Sequence, residues 1–132
     1  MADKTETKPV DILSVLKDLC RLMSGAPLTV DEVRKKLAGM PLRSSVAAEP
    51  GSSAPAFARL EMPPGAGLTL EALQHEFGPA HQAPGMGRGA PAEYLIYVDL
   101  PGYPYTCALV IEKEQEKPSV EAVTVRRDIR LT

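Results

Sequence analysis

The stretch of sequence that decides the fold is residues 93–113, which read EYLIYVDLPGYPYTCALVIEK. Apolar side chains recur at every second position on both sides of the central Pro101-Gly102 pair, and such alternation is typical of a β-strand with one buried face. Proline presets the backbone at the first central position of a type II turn, and glycine suits the second, which requires a positive φ. We therefore predict a β-hairpin with strands at 93–100 and 105–113.

The segments around the hairpin predict the α+β class. A third strand is predicted at 120–127, and three sequential strands most often form an antiparallel meander. The segment 56–62, which lies between two prolines, is the candidate for a fourth strand. Three earlier segments carry apolar residues at helical spacing and are each followed by a glycine that ends the helix. We expect short N-terminal helices, at 10–23, 30–38 and 70–77, to pack on a C-terminal antiparallel sheet of three to four strands. The residues predicted to form the buried core are Leu16, Leu19, Val33, Leu37, Leu73, Phe77, Ile96, Val98, Leu109 and Val123.

Two of the predicted helices begin in the same way. Thr29 and Glu32 form the pattern of a capping box, in which each side chain satisfies a backbone N–H group of the other residue. Residues 28–37 resemble residues 68–77, which also begin with leucine and threonine. An internal repeat and a coincidental similarity between two capped helices both explain this.

The length and composition predict a single domain. A chain of 132 residues is long enough to bury a real core without disulfides or metals. We predict a disordered tail at 1–9 and one α+β domain at 10–132. Glycine and proline are concentrated in the middle of the chain, so we expect mobile loops near 44–55 and 79–91.

The charge and hydropathy argue against nucleic acid and membranes as partners. The chain carries 15 basic and 17 acidic residues, whereas a protein that neutralises phosphates normally has a basic excess. It has no tryptophan and few aromatic residues on which bases could stack. No apolar run approaches the roughly 20 residues of a membrane helix. The first residues are polar and lack the pattern of a secretory signal, so we expect a cytoplasmic protein.

The sequence does not predict catalysis, a cofactor or a metal site. It has two histidines and lacks both a nucleophile elbow and a Cys-x-x-Cys motif. Glu71 and His75 share one face of the third helix and could form half a metal site, but a solvated helix face is the simpler interpretation. Cys20 and Cys107 are interpreted as two reduced core thiols, with a disulfide or reactive pair as the alternative.

Two groups of residues are candidates for binding a partner. All four tyrosines lie in the predicted hairpin, where Tyr97 points to the face opposite Ile96 and Tyr103 lies in the turn. Tyrosine offers a large, rigid contact area, so these two could anchor an interface; ordinary cross-strand packing is the alternative. The glycine-rich loop carries Met86 and Arg88, whose residue types are enriched at interfaces, although a merely flexible loop would look the same.

The C-terminal half of the chain has an order of motifs shared with a known module. The motifs are Leu68-Thr69, Leu73, Phe77-Gly78-Pro79, Glu93-Tyr94 and the hairpin that follows. In this respect the chain resembles the repeat module of the SmpA/OmlA-type lipoproteins and the β-lactamase inhibitory proteins. The resemblance implies a non-enzymatic scaffold whose sheet surface contacts a protein partner. The chain departs from the family at its start, where no signal peptide or lipidated cysteine is found.

These observations favour a non-enzymatic protein-interaction module of the inhibitor, immunity or adaptor type. It would bind a protein partner, or a second copy of itself, through its sheet or hairpin surface. The alternative is a small-molecule-binding regulatory domain in which the loop at 79–91 closes over a ligand. An apolar pocket ringed by polar groups would favour the alternative, and an apolar patch on the outer face of the sheet would favour the interaction module.

Overall fold

The computed structural model describes six stretches of the chain and, for Pro9, Val10, Asp11, Ala92 and Ile129, the backbone only. The stretches are residues 9–38, 42–63, 67–82, 92–98, 100–114 and 117–129. Within them lie three helices and six strands, which confirms the predicted α+β class. The helices are α1 (Pro9–Ser24), α2 (Val30–Ala38) and α3 (Leu70–Phe77). The strands are β1 (Ser44–Ala48), β2 (Pro55–Glu61), β3 (His81–Gln82), β4 (Ala92–Val98), β5 (Tyr105–Lys113) and β6 (Ala122–Ile129).

The six strands form one antiparallel sheet in the order β1-β2-β6-β5-β4-β3. The predicted hairpin is confirmed, because β4 and β5 pair along their length. Its turn is closed by the N–H of Tyr103, which donates to the carbonyl oxygen of Leu100 at 3.3 Å. Gly102 has a φ of 86°, as the second central position of a type II turn requires.

The prediction of three to four strands was too low, and the loop predicted at 44–55 was wrong in part. Strand β1 occupies the first half of that segment, where Val46 pairs with Ala58 of β2 and packs against the core. Pairing with a neighbouring strand therefore outweighs the turn-prone composition of this segment. The loop predicted at 79–91 contains β3, which pairs with β4, and its remainder from residue 83 lies outside the described residues. Of the tail predicted at 1–9, residues 1–8 also lie outside them, whereas residue 9 begins α1.

All three helices pack on one face of the sheet, which we call the inner face. Helix α1 lies on β5 and β6, α2 on β1 and β2, and α3 on β4. Most of the predicted core is buried there, namely Leu16, Leu19, Val33, Leu37, Leu73, Ile96, Leu109 and Val123. Phe77 and Val98 were also predicted to be buried but are only half-buried, and each is the last residue of its element.

Side chains from the sheet and the loops hold the helix ends. At the start of α2, Thr29 Oγ1 accepts the Glu32 N–H at 3.3 Å, while the Glu32 carboxylate accepts the Thr29 N–H at 2.9 Å. This geometry confirms the predicted capping box. At the end of α1, Arg127 of β6 donates to the carbonyl oxygens of Met23 and Gly25 at 2.9 and 2.6 Å. The sheet thus satisfies one of the carbonyls that the C-terminus of α1 leaves free, and the carbonyl of the first residue beyond the helix.

Candidate protein-interaction surface

The face of the sheet opposite the helices, here called the outer face, is the candidate functional surface. The side chains of β2, β6, β5 and β4 alternate between the two faces, and the helices pack only against the inner set. Within the described stretches, no helix lies on the outer face. Among those residues, Phe57 and Tyr97 are the two large hydrophobic side chains that are exposed, at 38% and 54%, and both lie on it.

Phe57 and Tyr97 belong to one row across the sheet. In the strand register Phe57 pairs with Arg126, Arg126 with Ala108, and Ala108 with Tyr97. We call these four residues the aromatic row. Three strand spacings separate its ends, so the Cα atoms of the two aromatic residues lie roughly 14 Å apart. The row therefore crosses four strands with an exposed aromatic residue at each end.

The two central residues of the aromatic row are a small alanine, Ala108, and a charged arginine, Arg126. Ala108 is fully buried, and its cross-strand neighbours are the larger residues Tyr97 and Arg126. Arg126 is held by Asp128, which accepts from Nε at 3.0 Å and from Nη2 at 3.1 Å. The pKa of Arg126 is raised above its usual range, first by this hydrogen bond to Asp128 and, to a smaller degree, by Tyr97. The guanidinium therefore stays charged and is fixed between the two aromatic residues.

A second row on the same face is acidic. Glu61 pairs with Ala122, Ala122 with Glu112, and Glu112 with Glu93; we call these four residues the acidic row. Arg59 binds Glu112 through Nε and Nη2 at 3.3 and 3.2 Å, and it binds Glu61 through Nη1 at 3.0 Å. Glu93 lies directly opposite Glu112, and like charges in that position repel each other. The acidic row thus has more negative charge than Arg59 neutralises.

The structure separates the four tyrosines of the hairpin. Tyr97 is exposed on the outer face, as predicted. Tyr103 is only half-buried rather than freely exposed, because its residue closes the β4–β5 turn. Tyr94 and Tyr105 are half-buried on the inner face, where a cation lies over each ring: Lys113 Nζ is 5.6 Å from the first ring centroid and the Arg127 guanidinium 3.6 Å from the second. Cross-strand packing therefore accounts for two of the four tyrosines.

Two of the predicted site residues lie outside the described residues, and one exposed residue of the outer face was not predicted. Met86 and Arg88 fall in the segment 83–91, which the structure does not describe. Phe57 was not predicted as a site residue. Its signal was present in the sequence, because the alternation of the segment 56–62 places Phe57 on the face opposite Ala58 and Leu60.

A groove of about 280 Å³ lies between α1 and α3, and its lining is largely charged. Lys17 and Glu76 form an ion pair across it, with Nζ 2.7 Å from Oε2. The pKa of Glu76 is lowered below its usual range by the hydrogen bond and the charge of Lys17. Both side chains are open to solvent, so the groove is unlike the enclosed apolar pockets that hold small molecules.

Within the described stretches, no group of three or more histidine, cysteine, aspartate or glutamate side chains is placed to hold a metal ion. No helix in that part of the chain is long and apolar enough to cross a membrane. No family model, curated protein or solved structure matches the chain.

Proposed function

We propose that this protein is a non-enzymatic protein-interaction module that binds its partner through the outer face of the sheet. The observation that carries the proposal is the aromatic row, in which Phe57 and Tyr97 are exposed on a face that none of the three described helices covers. Exposed aromatic side chains cost free energy in water and are the residue types that most often anchor interfaces. Such a surface fits an inhibitor, an immunity protein or an adaptor.

The net negative charge of the outer face favours a partner with a basic surface over a second copy of this chain. Among the described residues in its strands, the outer face carries two basic side chains, Arg59 and Arg126, and four acidic ones, Glu61, Glu93, Glu112 and Asp128. Two copies that met face to face would bring two net negative surfaces together, and the repulsion would oppose dimerisation.

The partner is therefore expected to be a protein with an apolar centre and a basic border. Its apolar side chains would pack against the two exposed aromatic residues of the row, Phe57 and Tyr97. Lysine or arginine side chains on its border would face the acidic row, which lies four residues along each strand and so about 13 Å away. Such pairs steer association and make it depend on salt.

The test measures affinity with a purified partner. The immobilised protein is used to capture binding partners from a lysate of its native source. Each captured partner is purified and titrated against the wild type and the variants Tyr97→Ala and Phe57→Ala. We expect each variant to weaken binding roughly 5-fold to 1,000-fold, the range for aromatic anchors. We also expect the affinity of the wild type to fall as salt concentration rises.

Three further variants separate the competing surfaces. Arg34→Ala changes an exposed side chain on α2 and should leave binding unchanged. Tyr103→Ala and Arg88→Ala test the turn and the glycine-rich loop, and a loss confined to Arg88→Ala would favour the loop. Wild-type affinity in both Tyr97→Ala and Phe57→Ala would contradict the proposal. Sedimentation equilibrium of the protein alone tests the second copy, and a dimer abolished by Tyr97→Ala would assign the outer face to self-association instead.

Two expectations from the sequence stay predictions within this proposal. One is the cytoplasmic location, which cell fractionation tests. The other is the resemblance to the SmpA/OmlA-type and β-lactamase inhibitory protein module, in which the sheet also contacts the partner.

A further inference from the structure

Two buried thiols meet between α1 and the centre of the sheet. Cys20 lies on the buried side of α1, and Cys107 lies on the inner face of β5; their side chains are 1% and 0% exposed. The two Sγ atoms are 2.9 Å apart. This separation is less than an ångström longer than the roughly 2.05 Å of a disulfide bond.

The alignment of the two thiols does not depend on the sulfur atoms themselves. Arg127 is the cross-strand neighbour of Cys107, and its guanidinium holds the carbonyl oxygens of Met23 and Gly25 at the end of α1. Leu16 and Leu19 of the same helix are fully buried in the core beside Cys20. Helix α1 is therefore fixed on the sheet on both sides of Cys20, and the folded chain holds the thiols together.

The surroundings make the pair slow to react while the protein is folded. The pKa of the Cys107 thiol is raised far above its usual range, first by the hydrogen bond to Cys20 and then by burial. Since the thiolate is the reactive form, exchange at neutral pH would pass through an opened or unfolded state. Burial therefore slows the formation of a disulfide, but it does not change the equilibrium between the two thiols and the disulfide through the exchange rate.

We propose that Cys20 and Cys107 are a disulfide site, which covalently joins α1 to β5 when the protein meets a disulfide oxidant such as oxidised glutathione. The thiolate of one cysteine attacks oxidised glutathione, forms a mixed disulfide and releases one glutathione. The thiolate of the other attacks the protein sulfur of the mixed disulfide and releases the second glutathione. Two electrons pass from the protein thiols to oxidised glutathione, and their two protons end on the two glutathione thiols.

The test compares disulfide formation in the folded and the unfolded chain. The protein is equilibrated with a series of glutathione redox buffers, once in native buffer and once in concentrated urea, starting from both the reduced and the oxidised form. The effective concentration of one thiol for the other follows from the disulfide fraction in each buffer. A disulfide that fits the fold stabilises it, and by linkage the fold favours the disulfide equally. We expect folding to raise the effective concentration about 30-fold to 1,000-fold.

The double variant Cys20→Ala/Arg21→Cys is the matched control. It moves the thiol by one residue to the exposed side of α1, so the loop length in the unfolded chain is almost unchanged. Its effective concentration in urea should equal that of the wild type, and folding should lower it. Trypsin reads out the bond directly, because the disulfide joins the peptides 18–21 and 89–113. A wild-type ratio of folded to unfolded effective concentration at or below one would overturn the proposal.

Discussion

Replacing Arg127 with methionine should destabilise the protein, because this side chain joins the sheet to the end of α1. Arg127 is only 7% exposed, and its guanidinium donates to two backbone carbonyls, of Met23 and Gly25, at 2.9 and 2.6 Å. It also stacks on Tyr105, with 3.6 Å between the guanidinium carbon and the ring centroid. Methionine keeps most of the apolar volume of arginine but offers no donor.

The expected loss in the free energy of unfolding follows from the two carbonyl oxygens that lose their hydrogen-bond donor in Arg127→Met. Each buried polar group left unsatisfied costs about 1–3 kcal/mol, and the stacked cation contributes roughly 0.5–2 kcal/mol. Removing the buried guanidinium also relieves its own desolvation, which offsets part of the loss. We therefore expect Arg127→Met to lower the free energy of unfolding by about 2–4 kcal/mol. Arg127→Lys keeps the charge but loses the planar fork, so it should cost roughly 1–2 kcal/mol.

The adjacent residue provides the matched control. Arg126 is on the same strand, but it points to the outer face and pairs with Asp128, two residues along the chain. Exposed ion pairs contribute little, so Arg126→Met should cost about 1 kcal/mol or less. Urea unfolding followed by circular dichroism measures all three variants. A loss below about 0.5 kcal/mol for Arg127→Met, or one no larger than that of Arg126→Met, would refute the reasoning.

Three further predictions concern the helices. Thr29→Ala should lower the free energy of unfolding by about 1 kcal/mol in urea unfolding, because it removes half of the capping box; no change would show that water replaces the cap. Phe77→Ala should cost roughly 1–3 kcal/mol, below the 3–5 kcal/mol of a fully buried phenylalanine, and a larger loss would show that the residue is core. Lys17→Met should raise the pKa of Glu76 toward its usual range in an NMR titration. Since the pKa of Glu76 is lowered by folding, its ion pair stabilises the wild type above the ordinary glutamate pKa of about 4.3 and is lost as the pH falls through the lowered value. An unchanged titration of Glu76 would contradict that ion pair.

The features that local sequence patterns specify were predicted well. The bounds of α2, α3 and β5 agree with the predicted ranges, because caps, glycines and alternating side chains lie within a few residues of one another. The type II turn is encoded by Pro101 and Gly102 alone. Helix caps, strand alternation and this turn depend on neighbouring residues in the sequence, so they can be predicted without the tertiary structure.

The features that depend on contacts between distant segments were not predicted. Strand β1 has a composition typical of a loop and becomes a strand through its pairing with β2. In the sequence, Arg127 is one of several charged residues at the end of a strand. Its hydrogen bond to the carbonyl oxygen of Met23 depends on the packing of α1 against β6. For the site, alternation predicted the exposure of Tyr97, whereas the alignment with Phe57 depends on β6 pairing between β2 and β5.

The most direct measurement of the central claim is the NMR response of methyl groups on β5 to a purified partner. Ala108 and Val110 lie on the outer face, whereas their sequence neighbours Leu109 and Ile111 lie on the inner face, so the two pairs report on opposite sides of one strand. The account predicts that the outer methyl signals shift or broaden on binding and that the inner ones stay in place. Changes confined to the inner pair, or to the methyl group of Met86 in the glycine-rich loop, would contradict it.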